Sequence, residues 1–213
     1  MHRIYLIRHG LTAGNLQHRY VGRTDEPLCQ EGIRQLLTKK AIFAKLHTNE
    51  KFQRIYTSPM LRCRQTAELL FAGNPQKVME DFRELDFGEF EYKNYEELTG
   101  DARYQAFIDS GGKTEFPGAE PQEAFRAWVR AAFARCIEEI CVPDDAGRVD
   151  VFVLHGGTIM AILEAYGFPK RSYFDWQIPA GEGFCCECEY GDAGIRLTDI
   201  RRIGDEQEQI PIY

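Results

Sequence analysis

Two histidines stand at the ends of two apolar runs, His9 after I-Y-L-I-R (4–8) and His155 after V-D-V-F-V-L (149–154), and each is followed by glycine. Short runs of this kind suit strands buried on both faces of a parallel sheet, and ligands bind at the carboxyl ends of such strands. One histidine after a strand is ordinarily a loop residue; a second in the same setting raises the case for a site. The neighbouring residues suit an anion. Arg8 adjoins His9, while Gly156 and Gly157 permit a tight turn and close backbone approach. Thr158 is placed to cap the helix that follows, whose first amides would face negative charge. Arg62, in Y-T-S-P-M-L-R-C-R-Q-T-A (56–67), falls early in an expected helix, where a cation opposes the macrodipole and so suggests a functional need.

The elements that must position these residues follow from periodicity. Ile4–Ile7 and Arg54–Thr57 read as strands, and Val149–Leu154 is the strongest strand signal. Helices are expected over Glu31–Leu46, with Ile33, Leu36, Leu37 and Ala44 near one face, over Arg62–Phe71 and over Ile159–Tyr166. The clearest spans Pro121–Cys141, where Phe125, Trp128, Val129, Ala132, Phe133, Cys136, Ile137 and Ile140 share one apolar stripe and Pro121 suits the first turn. Strands alternating with helices predict an α/β fold: a three-layer α/β/α sandwich with a mostly parallel sheet. F-C-C-E-C-E-Y (184–190) and G-I-R-L-T-D-I-R-R-I (194–203) predict an antiparallel hairpin closing the C-terminal edge. Residues 1–213 are expected to form a single domain. A helical run over Tyr95–Ile108 and the glycine-rich S-G-G-K-T-E-F-P-G-A-E (110–120) predict a cap insertion over about 92–120.

Composition excludes several classes of partner. At 213 residues and 44% hydrophobic the chain can bury one substantial core. Its formal charge of −7, from 26 basic and 33 acidic residues, comes without the basic and aromatic stripe that grips nucleic acid. No apolar stretch nears the ~20 residues that span a bilayer, and Met1-His2-Arg3 leads straight into the first strand; no membrane association and a cytoplasmic location are expected. Seven cysteines, an odd number, argue for reduced thiols. The cluster at 184–190 invites a zinc reading, but alternation sets Phe184, Cys186, Cys188 and Tyr190 on one face of a strand and Cys185, Glu187 and Glu189 on the other. Oligomeric state is not encoded in any of these patterns.

The residues singled out resemble the histidine phosphatase superfamily, also called phosphoglycerate-mutase-like. The resemblance rests on five blocks in family order: R-H-G at 8–10 with Thr12 and Asn15, Y-V-G-R-T-D-E-P-L at 20–28, S-P-M-L-R-C-R-Q-T-A at 58–67, R-E-L-D-F-G-E-F-E at 83–91 and L-H-G-G at 154–157. It implies that His9 is a nucleophile forming a phosphohistidine, that Arg8, Arg62 and His155 line a phosphate pocket, and that Glu84 donates a proton. Asn15, Val21, Gly22 and Gly156 would bind substrate, with no metal and no organic cofactor. The chemistry is coherent. Phosphoryl transfer spreads charge over three equatorial oxygens, which fixed cationic donors stabilise, and a covalent intermediate splits hydrolysis into two easier steps. Glu84 must be shielded from water to hold its proton near neutral pH, whereas Glu89 and Glu91 alternate with Phe90 and are expected to face outward. Two departures stand out: Leu11 replaces a commonly acidic residue, and F-E-Y at 90–92 stands where W-E-G is common. Both are expected to bear on the leaving-group pocket.

Other readings compete. His9, His155 and Glu84 form a two-histidine, one-carboxylate set suited to iron, but Arg8 and Arg62 beside it would repel a dication. Phosphoglycerate mutases, by the resemblance, carry a longer insertion than the 71 positions from Glu84 to His155, so hydrolysis is expected instead. A non-catalytic phosphate-binding protein on the same fold would be expected to have lost a catalytic position. The substrate is expected to be a small phosphorylated metabolite. The segment from Glu84 onward most resembles alpha-ribazole phosphatases and broad-specificity relatives, and Phe87, Phe90, Tyr92, Tyr95, Tyr104, Phe107 and Phe116 would either line a pocket for a flat base or fill the interior of the cap.

Overall fold

The computed structural model describes residues 2–46, 52–112, 114–141 and 149–203. Six strands form one sheet in the order β3-β2-β4-β1-β5-β6: β1 His2–Arg8, β2 Phe52–Thr57, β3 Gln76–Val78, β4 Val149–Leu154, β5 Gly183–Gly191 and β6 Gly194–Ile203. The first four in sequence run parallel, β5 pairs antiparallel with β1, and β6 closes the hairpin. The mostly parallel sheet with an antiparallel edge is the expected one.

Alternation along the central strands divides the core in two. Ile4, Leu6, Tyr56, Phe152 and Leu154 meet α5 (Gln122–Ile140) and α6 (Gly156–Tyr166) on one face. Tyr5, Ile7, Ile55, Val151 and Val153 meet Cys63 and Ala67 of α3 (Leu61–Leu70) on the other. Every residue of β4 is buried, so its carboxyl end is rigidly held. All seven cysteines are free. Cys186 and Cys188 enter the first core and Cys185 the second, which is what strand alternation under two covered faces requires, while Tyr190 emerges 45% exposed.

Several local expectations need correction. In α2 (Gln30–Leu46) Leu36 is buried but Leu37 is exposed, because successive residues of a helix point about 100° apart; Ala44 lies outside the residues whose side chains are described. Pro121 caps α5 rather than sitting inside it. The helical run expected from Tyr95 is a series of turns to Gly100, whose φ of +89° ends them, and α4 starts only at Ala102 (Ala102–Asp109), where the Asp101 side chain accepts from the Arg103 amide at 2.9 Å. Between β3 and α5 the chain builds a small core of its own from Phe90, Leu98 and Phe116.

Candidate active site

The carboxyl ends of β1 and β4 are neighbours in register, Arg8 opposite Leu154, so His9 and His155 emerge side by side with ring centroids 5.2 Å apart. The His9 amide donates to the Leu154 carbonyl at 2.9 Å. Its ring Nδ1 lies 2.7 Å from the Gly10 carbonyl. A carbonyl only accepts, so Nδ1 carries the proton and Nε2 keeps its lone pair. Burial, aided by Arg62 and Arg8, holds His9 well below the usual histidine range. The result is a neutral imidazole with one nitrogen free to attack. Gly10 is required here by packing: a Cβ would lie 2.5 Å from the Leu36 side chain.

His155 has both nitrogens engaged. Arg62 Nε donates to Nδ1 at 3.3 Å, which makes Nε2–H the donor to Ser58 Oγ at 2.7 Å. Burial and the nearby cations hold this imidazole neutral as well. Arg62 is itself fully buried, with Nη1 donating to the Thr24 carbonyl at 2.7 Å and Nη2 to the Gly22 carbonyl at 2.8 Å. Thr66 links the parts, accepting from the Gly10 amide at 3.0 Å and donating to the Arg62 carbonyl at 2.7 Å. Ser58 and Thr66 fall within the quoted 56–67 block, but only their contacts reveal what they do.

An open polar cavity of about 610 Å³ lies over this assembly, lined by Arg8, His9, Asn15, Val21, Glu84 and Gly156 among others. Arg62, His155 and Gly22 stand behind that wall, and the Gly22 amide donates to Glu91 at 2.9 Å. Arg8 Nη1 donates to the Ile178 carbonyl at 2.7 Å. Its Nε is buried and has no hydrogen-bond partner among the described residues, and a donor left so costs about 1–3 kcal/mol. An orphan cationic donor beside a neutral imidazole suits a phosphoryl oxygen. Asn15 belongs to the short helix α1 (Ala13–Leu16), where it forms a reciprocal capping box with Thr12. Thr158, expected to cap α6, is instead inside it: His155 holds the cap position and the Thr158 hydroxyl points to the Arg83 carbonyl.

Glu84 is 8% exposed. Its carboxyl accepts from the Leu85 amide at 3.0 Å and the Gly157 amide at 2.9 Å. Burial pushes its pKa up, against the opposing pull of those amides and of Arg62 and Arg8, as a group must be held if it is to deliver a proton. Gly157 is needed for this approach, since a Cβ would lie 2.4 Å from Glu84 Oε1.

Behind Glu84 opens a second cavity of about 200 Å³, with aromatic and aliphatic walls that include Phe87, Phe107, Phe116, Phe125, Met160 and Phe174. It exceeds the ~150 Å³ of a cavity that admits a benzene ring. The two cavities share Tyr20, Glu84, Phe87, Gly157 and Met160, so the carboxyl stands at their junction. The aromatic residues of this region divide: Phe90 is fully buried in the local core, Phe107 and Phe116, with ring centroids 4.3 Å apart, also line the cavity, and Tyr95 is exposed.

Two expectations about nearby residues are overturned. Glu89 is outward and pairs with Arg103, but Glu91 turns inward and accepts from the amides of Gly22, Thr24 and Phe87 and from the Thr24 hydroxyl. A 3₁₀ turn over Gly88–Phe90 breaks the alternation that would have sent it out. Tyr92 lines neither cavity. Its φ of +63° accounts for glycine being common at this position, and its hydroxyl donates to Glu26 Oε2 at 3.0 Å. Leu11 borders an adjoining pocket that shares Arg8, Asn15, Arg19 and Tyr20 with the polar cavity.

The family model of the histidine phosphatase superfamily (branch 1) matches residues 4–201. The adenosylcobalamin/alpha-ribazole phosphatase of Salmonella typhimurium is 27% identical over 211 residues, covering 94% of this chain and 98% of that protein. A Salmonella typhi protein named "Probable phosphoglycerate mutase GpmB" is 29% identical over 142 residues, 65% of this chain and 64% of its own. In fold, the crystal structure of the alpha-ribazole phosphatase from Shigella flexneri aligns over 95% of this chain and 96% of its own, with a TM-score of 0.75 and 22% identity. Among the described residues no helix is long and apolar enough to cross a membrane.

Proposed function

The chain belongs to branch 1 of the histidine phosphatase superfamily, and from that premise we propose that it hydrolyses a small phosphate monoester through a phosphohistidine on His9, with alpha-ribazole phosphate as the candidate ester. The observation that carries this reading is the position of Glu84, a buried carboxyl at the junction of a polar and an apolar cavity.

In this mechanism the phosphoryl group occupies the polar cavity beside Arg8, and Nε2 of His9 attacks phosphorus as the ester oxygen departs. Glu84 protonates that oxygen. The leaving alcohol extends past Tyr20 and Phe87 into the apolar cavity, with the segment over 92–120 acting as a cap on it. Water then enters, Glu84 takes its proton, and attack on phosphorus releases phosphate and restores neutral His9. Arg8 supplies charge to the equatorial oxygens directly; Arg62 acts from behind the wall, both by its charge and by fixing His155. The aromatic lining supports an ester whose alcohol bears a flat apolar ring.

Phosphate release from alpha-ribazole phosphate, 3-phosphoglycerate, sugar phosphates and p-nitrophenyl phosphate tests the reading, with chelator present and His9→Ala as control. The expected result is release that depends on His9, with kcat/KM highest for the ring-bearing ester. Release that survives His9→Ala, or a preference for 3-phosphoglycerate, would overturn it.

A further inference from the structure

We propose that Glu91 is a positioning residue for the phosphate pocket: it sets the orientation of Arg62 through the 22–24 loop. The inference rests on reading the polar cavity as a phosphoryl site.

One oxygen of Glu91 gathers three donors, the Gly22 amide at 2.9 Å, the Thr24 amide at 2.9 Å and the Thr24 hydroxyl at 2.7 Å. Its other oxygen accepts from the Phe87 amide at 3.2 Å. The same two loop residues turn their carbonyls the opposite way, onto Nη1 and Nη2 of Arg62. Glu91 and Arg62 therefore grip one short stretch of backbone from its two sides. That stretch has little room to move, because a Cβ on Gly22 would lie 1.9 Å from the Leu85 carbonyl and 2.9 Å from Glu91 Oε2. With both ends of its fork fixed, the guanidinium can direct Nε only toward His155 Nδ1, which in turn settles the imidazole tautomer. The line of contact runs from Glu91 through backbone to Arg62 and His155, the two buried groups behind His9.

A carboxylate suits this position better than an amide. Glutamine could keep the three donors on its oxygen, but it would present N–H to the Phe87 amide and lose that bond. Alanine would leave all four donors without their acceptor.

The test is a double-mutant cycle on Glu91 and Arg62 in the full chain, reading the Kd of inorganic phosphate by calorimetry together with kcat and KM on p-nitrophenyl phosphate. Glu91→Ala should weaken phosphate binding roughly 10-fold or more, as loss of charged hydrogen bonds does, and Glu91→Gln should recover most of it. In an Arg62→Ala background, Glu91→Ala should change phosphate binding by less than about 2-fold, because its route is already cut. An undiminished loss in that background would overturn the inference, as would a lowered Tm with unchanged phosphate affinity in Glu91→Ala alone. If Glu91→Ala does not fold, Glu91→Gln carries the same cycle: its smaller loss should be present with Arg62 and absent without it, and equal losses would overturn the proposal. Wild-type chain that neither binds phosphate nor turns over ester would overturn the reading of the site itself, and this inference with it; wild-type binding without coupling would overturn the inference alone.

Discussion

The two cavities that meet at Glu84 are made from different material. The polar one is framed by main chain: the ends of β1 and β4, the Leu154 carbonyl under His9 and the first turn of α6 set its geometry. The apolar one is framed by side chains that the 84–126 segment and the Gly157–Phe174 region bring together. Strand ends in a buried parallel sheet offer few alternative positions, so His9 and His155 are fixed by the register of β1 and β4. The lining side chains of the apolar cavity, Phe107 on α4 and Phe116 and Phe174 beyond it, stand apart from those strand ends and can change without moving them. On the function proposed above, the reaction and the choice of ester are separable in this chain.

Substitutions can break or sharpen that separation. The largest effect should come from His9→Ala, which is expected to lower turnover of every ester on the order of 10^4-fold, with the apolar cavity and Tm little changed. Steady-state assays on two unlike esters check it, and a loss confined to one would contradict the division. Next is Glu84→Gln at the junction. Alkyl esters should lose ~10^2–10^3-fold, as for removal of a general acid, while p-nitrophenyl phosphate, whose leaving group hardly needs a proton, should lose far less; parallel losses would remove Glu84 from the acid's role.

On the apolar side, Phe174→Ala should reduce kcat/KM about 3–10-fold for an ester with an aromatic alcohol, the scale of one lost ring contact, and leave ethyl phosphate unaffected. The smallest effect expected is on stability. His9 and His155 are held neutral in the folded chain, their pKa values below the ordinary one. The unfolded chain takes up protons from about pH 6.5 downward, so their contribution is full above that pH and is lost as pH falls. Glu84, whose pKa burial raises, acts in the opposite sense, so the check is a difference between chains: over urea unfolding at pH 7.5, 6.5 and 5.5, His155→Asn should lose less stability on acidification than the wild type.

The same division governs what could be read from the residues alone. Strand ends are legible because buried strands announce themselves: I-Y-L-I-R-H-G and V-F-V-L-H-G-G each end an apolar run on a histidine, and His9 and His155 stand just past β1 and β4. Arg62 was legible as a residue but not as a depth. It is fully buried behind the cavity, which depends on carbonyls 38 and 40 positions away in sequence. Glu91 departs from its expected outward side for a related reason. Period-two alternation assumes a strand, and the 3₁₀ turn over Gly88–Phe90 rotates everything after it. Thr158 had the right type for a cap in the wrong position, since His155 already holds it. In each case the missing information was long-range contact or local backbone geometry, which residue type does not carry.

Tyr92 has a consequence for how this chain can drift. A non-glycine residue at φ +63° bears a conformational cost of roughly 1–2 kcal/mol, carried here alongside a hydroxyl bond to Glu26, whose carboxylate also accepts from the Gly14 amide. Substitution by glycine would relax the backbone and cut the tie, whereas phenylalanine would keep the cost and forfeit the bond. Exchange between tyrosine and glycine therefore trades one hydroxyl bond for a relaxed backbone, while Glu26 keeps the Gly14 amide in either case.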